Sequence, residues 1–185
     1  DEPLSNLDAK IRLRIRFEIK ALQQKLNLPT VYVTHDQEEA LSIADKVAVM
    51  HEGKVLQLGT PEEVYKNPAN FFVADFIGTN CVLTLKVLDG RVKIGNKIFK
   101  VSSRETARMV VRSDEAEVLE ARAETGKDGL KIPGEIKGKL YMGSKYRYEI
   151  RIEESEDALF VNSSESFKIG EKITVFVPNG SYFVY

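Results

Sequence analysis

The chain has 185 residues, 43% hydrophobic and 30% charged, the proportions of a globular protein able to build real cores. Its 27 basic and 28 acidic residues leave a formal net charge of -1, without the basic excess that usually marks a duplex-binding protein. The single cysteine, Cys81, excludes an intramolecular disulfide framework, and no apolar run approaches the roughly 18 residues of a membrane span.

The chain opens with two adjacent carboxylates and a polar turn, Asp1-Glu2-Pro3-Leu4-Ser5-Asn6-Leu7-Asp8. Ile11, Ile15, Ile19, Leu22 and Leu26 then recur at helical spacing and predict one apolar stripe. Asp8 suits the N-terminus of that helix, and Asn27 with Pro29 ends it. Arg12, Arg14, Arg16 and Lys20 are expected to face solvent. Thr30-Val31-Tyr32-Val33-Thr34 predicts a short buried strand, with His35 at its carboxyl end and Asp36 capping a helix to about Ala44.

Residues 46–50 and 55–58 predict a hairpin around Gly53. Thr60, Pro61 and Glu63 have the spacing of a capping box with proline at the first helical position, and Asn67-Pro68 stops that helix. Asn70 begins another, with Phe71, Phe72, Val73, Phe76 and Ile77 available for packing and Gly78 at its end.

From Asn80 the pattern changes to short strands separated by turns: 82–88, 92–94, 98–101, 109–112, 136–142, 146–152, 159–161, 173–177 and 182–185. Many short strands with little intervening helix predict a small barrel or sandwich. Residues 123–129 read as an exposed loop. The boundary falls near Gly78-Thr79, giving an α/β piece at 1–78 and an all-β piece at 79–185.

Asp1, Glu2 and His35 carry the chemistry. Consecutive acids at a strand end point to different sides, so one can ligate a metal while the other handles water. Open α/β sheets bind their ligands at the carboxyl ends of strands, where His35 also lies. Taken singly, a terminal Asp-Glu reads as solvated charge and a histidine after a strand as structural. Their order and spacing give the stronger reading.

That order resembles ATP-binding cassette (ABC) ATPases. Residues 1–8 look like the end of Walker B running into the D-loop, and Val31-Tyr32-Val33-Thr34-His35-Asp36-Gln37 looks like the switch-histidine segment. Ala44-Asp45-Lys46-Val47, Gly59-Thr60-Pro61-Glu62-Glu63 and Phe76-Ile77-Gly78 are similar to the tail of the cassette in import-type transporters. The likeness is greatest to maltose-type sugar importers, with polyamine and ferric-iron importers as neighbours.

The resemblance implies Asp1 as the residue holding Mg²⁺ through water and Glu2 as the catalytic glutamate. It implies His35 at the γ-phosphate, as both a catalytic and a nucleotide-binding residue. Ser5, Asn6, Leu7 and Asp8 match the D-loop, which meets the opposite subunit. ATP and Mg²⁺ follow as cofactors of the full-length enzyme, and a second copy and membrane-spanning permease subunits as partners. Neither nucleic acid nor direct membrane insertion is expected. The implied location is peripheral, on the cytoplasmic face of the cell membrane.

The departures are equally informative. No Gly-x-x-x-x-Gly-Lys-[Ser/Thr] phosphate loop occurs, and neither do the family's signature and Q-loop motifs. The chain therefore reads as the C-terminal portion of an ATP-hydrolysing importer subunit, expected by itself to be inactive and to bind ATP weakly. The alternative is a non-catalytic dimerisation or regulatory module, if the chain is naturally this short. Residues 1–78 are expected to expose apolar faces unless propped by a second copy, by the β domain or by rearrangement.

The second half resembles the OB-like (TOBE) regulatory domain of such importers. Val110-Val111-Arg112-Ser113-Asp114-Glu115 looks like its Arg-Pro-Glu element, and Tyr141-Met142-Gly143-Ser144-Lys145-Tyr146 like its Leu-Gly-Ser turn. Tyr141, Tyr146, Arg147, Tyr148 and Arg151 could form a nucleic-acid face on an OB fold, but alternation within strands favours core packing. The fold class expected is a partial P-loop NTPase of α/β type followed by an all-β OB-like barrel.

Overall fold

A computed structural model of the chain describes residues 4, 7–103, 105–121, 123 and 126–185. It divides into two compact units, Asp1–Ala69 and Asn70–Tyr185. The division falls earlier than the 78/79 boundary expected, because the short helix after Asn70 packs on strands of the second unit.

In the first unit, α1 (Ala9–Leu26) starts at Asp8, whose carboxylate accepts the N–H groups of Lys10 and Ile11 at 3.1 Å. Asn27 ends the helix in the left-handed conformation, φ 48°. The inward face is not the one the apolar stripe predicts. Ile11, Leu22 and Leu26 are exposed, whereas Arg16 is only 8% exposed and lies among acids. Two stripes run side by side on this helix, and the charged one is buried.

The next helix, α2 (Gln37–Ile43), is capped by Asp36 as expected. The strand predicted over 30–34 does not form. That stretch has no ladder partner among the described residues, and Val31 is 91% exposed. A β-branched run becomes a buried strand only where neighbours supply hydrogen bonds and a covering face. The one sheet among the described residues of this unit is the hairpin of β1 (Val47–His51) and β2 (Lys54–Gly59). Consequently those residues form no parallel sheet. The capping box starts α3 (Pro61–Lys66) at Thr60 as its spacing predicts.

The second unit begins with α4 (Phe71–Phe76), capped by Asn70. Its strands are β3 (Asn80–Lys86), β4 (Arg91–Ile94), β5 (Lys97–Lys100), β6 (Thr106–Arg112), β7 (Glu117–Glu120), β8 (Gly129–Tyr141), β9 (Tyr146–Ile152), β10 (Leu159–Ser163), β11 (Lys172–Pro178) and β12 (Tyr182–Val184). All their pairings are antiparallel: a five-stranded sheet β10-β9-β8-β11-β7, a three-stranded sheet β12-β6-β3 and the β4-β5 hairpin.

One core serves all three sheets. Leu83, Val92, Met109, Ile132, Ile150 and Val175 are fully buried within it. Alternation along β3, β4 and β9 puts Leu83, Val92 and Ile150 inward. Tyr148 joins them, its hydroxyl donating to Glu165 O at 2.8 Å and accepting from Phe167 N–H at 2.9 Å, so it is a core residue. Among the described residues no helix is long and apolar enough to cross a membrane.

Candidate functional site

The candidate site is built where the turn before α1 approaches the segment leading into α2. Thr34, His35 and Asp36 are held by short-range bonds. Thr34 Oγ1 accepts from Asp36 N–H at 2.9 Å and donates to Glu39 Oε2 at 2.8 Å. Tyr32 donates its hydroxyl to the same Glu39 oxygen at 2.9 Å, and Asp36 Oδ1 accepts Glu39 N–H at 3.1 Å. Residues 32–36 are thereby stapled to the first turn of α2. His35 sits exposed between two tied neighbours.

Two arginines on adjacent turns of α1 complete the arrangement. Arg12 Nη1 and Arg16 Nη2 both donate to Asp36 Oδ2 at 3.0 Å. Arg16 Nη1 reaches Glu38 at 3.1 Å, and its Nη2 lies 3.9 Å from Glu39. Arg12 Nη2 donates to the backbone oxygen of Leu7 at 3.0 Å. Lys20, one turn further, donates to Ile43 O and Asp45, each at 2.7 Å. The α1–α2 contact is therefore a ladder of cations against an acidic segment.

The electrostatics follow the geometry. Burial works to raise the Asp36 carboxyl, but the Glu39 N–H, the Arg12 fork and the Arg16 charge together hold it below the ordinary aspartate range. Burial first, and then the hydrogen bond and charge of Glu39, push Tyr32 up to about 12.

Of the residues singled out in the sequence, Asp1, Glu2, Ser5 and Asn6 lie outside the described ones. Leu7 supplies its carbonyl to Arg12, and Asp8 uses its carboxylate to cap α1. Sequence reading passed over Arg12, Arg16 and Glu39. Their signal was an Arg–Arg–Lys spacing of four on one helix, facing a segment that carries three acids within four residues, Asp36, Glu38 and Glu39.

Among the described residues no three His, Cys, Asp or Glu side chains gather to hold a metal ion. With no glycine-rich phosphate loop in the sequence, the described portion does not by itself fit a magnesium nucleotide. In the second unit, Arg112 of the 110–115 element is fully buried and binds the end of α4, a structural placement. The 141–146 turn caps β8 and β9, with Met142 N–H donating to Lys145 O at 2.8 Å and Gly143 at φ 85°.

Relatives of this chain include proteins named as import ATP-binding proteins. Spermidine/putrescine import ATP-binding protein PotA of Mycoplasmopsis synoviae is 36% identical over 181 residues, 94% of this chain and 39% of that protein. PotA 1 of Pseudomonas aeruginosa is 36% identical over 193 residues, 98% of this chain and 47% of that protein. Fe(3+) ions import ATP-binding protein FbpC of Agrobacterium fabrum is 38% identical over 162 residues, 83% and 44% respectively. The chain thus spans about half or less of the length of these relatives. No family model matches it. Among solved structures, the cytoplasmic molybdate-binding protein ModG overlays with a TM-score of 0.42 at 9% identity, over 58% of this chain and 96% of that one, a likeness too distant to bear on function.

Proposed function

We propose that this chain is the C-terminal portion of the ATP-hydrolysing subunit of an ABC importer. The observation that carries the reading is the fixed His35 segment tied through Arg12 to the turn at Leu7, in a chain 36–38% identical to import ATP-binding proteins. Within the complete subunit, Glu2 acts on the hydrolytic water, His35 contacts the γ-phosphate, and Asp1 belongs to the magnesium site. Residues 5–8 meet a second copy. The nucleotide's phosphates are held by residues outside this chain, so 1–185 alone neither hydrolyses ATP nor binds it tightly. Permease subunits anchor the complete protein at the cytoplasmic face of the membrane. Residues from Asn70 onward act as an OB-like regulatory unit.

For the solute, the relatives' names favour a polyamine or ferric ion over the sugar suggested by sequence resemblance. Two experiments test this reading. Full-length subunit should hydrolyse ATP, Glu2→Gln should abolish turnover while leaving nucleotide-bound dimers, and 1–185 should be inactive. Turnover by full-length Glu2→Gln equal to wild type would refute the assignment of Glu2. Uptake by the reconstituted transporter should be seen with spermidine or ferric ion, and uptake of maltose alone would reverse the solute reading.

A further inference from the structure

Glu39 stands on the first turn of α2 and is only 2% exposed, although it carries a carboxylate. Its Oε2 accepts the Tyr32 hydroxyl at 2.9 Å and the Thr34 hydroxyl at 2.8 Å, and its backbone N–H donates to Asp36 at 3.1 Å. Both chain neighbours of His35 are therefore bonded to this one residue. We propose that Glu39 is a positioning residue for His35, holding the segment before it against α2 so that His35 is turned outward. The proposal rests on the reading of His35 as the γ-phosphate contact given above.

Three observations support it. Exposure alternates along the segment: Val31, Val33 and His35 are exposed, while Tyr32, Thr34 and Asp36 are half-buried. A period of two puts successive side chains on opposite sides of a chain, so one acceptor shared by Tyr32 and Thr34 sets which side His35 takes. Thr34 also closes the turn around His35, its Oγ1 accepting the Asp36 N–H at 2.9 Å while donating to Glu39. The acceptor is itself held in place, because Asp36 caps α2 and Arg16 Nη2 lies 3.9 Å from Glu39 Oε1.

The chemistry points to placement over stability. A buried carboxylate is costly to desolvate, and an apolar side chain could fill the same place at lower cost. What the carboxylate supplies is one oxygen that accepts two hydroxyls two residues apart, which fixes both the side and the register of the chain entering His35. A slip of one residue would bring Val33 to Glu39 and turn His35 inward.

The test uses the full-length subunit, with steady-state ATP hydrolysis expressed per ATP-binding site so that unfolded protein does not count. Glu39→Leu keeps the bulk but leaves both hydroxyls without their acceptor. It should lower kcat roughly 10- to 100-fold while KM for ATP stays within about threefold, the pattern of lost alignment with binding retained. Glu39→Gln keeps an oxygen that can accept both hydroxyls and should stay within about threefold of wild-type kcat. Thr34→Val removes one hydroxyl and should lower kcat in the same way, whereas Thr34→Ser keeps the hydroxyl and should retain turnover. The two Thr34 variants carry the measurement if Glu39→Leu does not fold. Wild-type kcat in Thr34→Val, or a loss in Glu39→Gln as deep as in Glu39→Leu, would overturn the proposal. His35→Ala should also lose turnover, and wild-type kcat in that variant would overturn instead the reading of His35 on which the proposal rests.

Discussion

Arg112 Nη1 donates to Asn80 Oδ1 at 2.6 Å, and together these two side chains close the open end of α4. Asn80 Nδ2 lies within bonding distance of the carbonyls of Ala74, Asp75, Ile77 and Gly78, and Arg112 reaches those of Ala74 and Ile77. A helix of six residues has few internal bonds, so most of its terminal carbonyls need outside donors. Replacing Arg112 by leucine keeps bulk but strands those carbonyls in a buried place. The expected loss is about 2–4 kcal/mol in urea denaturation, and a wild-type midpoint would show that α4 is held by its apolar face alone.

Asp36 makes the first unit sensitive to acid. Burial opposes its ionisation, yet the Glu39 N–H, Arg12 and Arg16 outweigh it and lower the folded-state pKa. The folded protein therefore takes up this proton at lower pH than the unfolded chain does. The stabilisation is complete above the unfolded value of about 3.9 and is lost as pH falls through the lower folded value. Asp36→Asn should be less stable than wild type at neutral pH, with the gap closing in acid. A gap independent of pH would mean that the carboxylate charge contributes nothing.

Tyr32 imposes the opposite limit. Its hydroxyl is held protonated to about 12 by burial and by Glu39. With the folded pKa raised, its contribution is full below the unfolded value of about 10 and is lost as pH rises towards the folded one. Tyr32→Phe should cost about 1 kcal/mol at neutral pH through the lost bond to Glu39 and should reduce the alkaline loss. Burial also raises Tyr185, against the pull of Arg112. Absorbance titration of the wild type should therefore show late-ionising tyrosines, one of which disappears in Tyr32→Phe.

Gly95 separates steric need from conformational preference. It has φ 51°, and a Cβ there would lie 1.9 Å from Lys131 O, on the strand against which its turn is pinned. That turn is bonded by Asn96 N–H to Lys131 O at 3.2 Å and by Gly95 N–H to Glu154 at 2.8 Å. Gly95→Ala should cost roughly 2–4 kcal/mol, since backbone must move. Gly143, at φ 85° with nothing within 4 Å of an added Cβ, should cost only the left-handed penalty of about 1–2 kcal/mol when changed to alanine. Equal melting losses in the two variants would contradict the packing argument.

Caps and alternation were legible in the sequence because they are local. Asp36, Thr60 with Glu63, and Asn70 all cap the helices their spacing predicts. The inward residues of β3 and β9 follow period two, whereas β6 and β11 each carry a run buried on both faces. What depends on neighbours was not legible. The 30–34 run has the composition of a strand, but composition cannot supply a partner strand. The sequence missed β7 because Glu117-Val118-Leu119-Glu120 has only two apolar residues, and it is recruited by pairing with β11. It shortened β8 because Pro133 and Gly134 look like a break, yet both pair with β11.

The same limit hid Arg12. Hydropathy ranks arginine as solvent-facing, and only the acids 24 residues away in sequence turn that stripe inward. His35 and Asp8 could be picked out from local order, whereas the residue that links their surroundings could not.

Phe71 and Tyr185 stand edge to face with ring centroids 6.0 Å apart, and Tyr185 exchanges both backbone hydrogen bonds with Arg108, whose guanidinium lies 3.6 Å from the Phe71 ring centroid. Phe71, Arg108 and Tyr185 of the second unit are thus neighbours. In engineering terms, a short bridge would suffice to join residue 70 of this unit to residue 185. Joining its two ends and opening a hairpin such as the one at Gly143 would change the order of the strands along the chain without moving any of them.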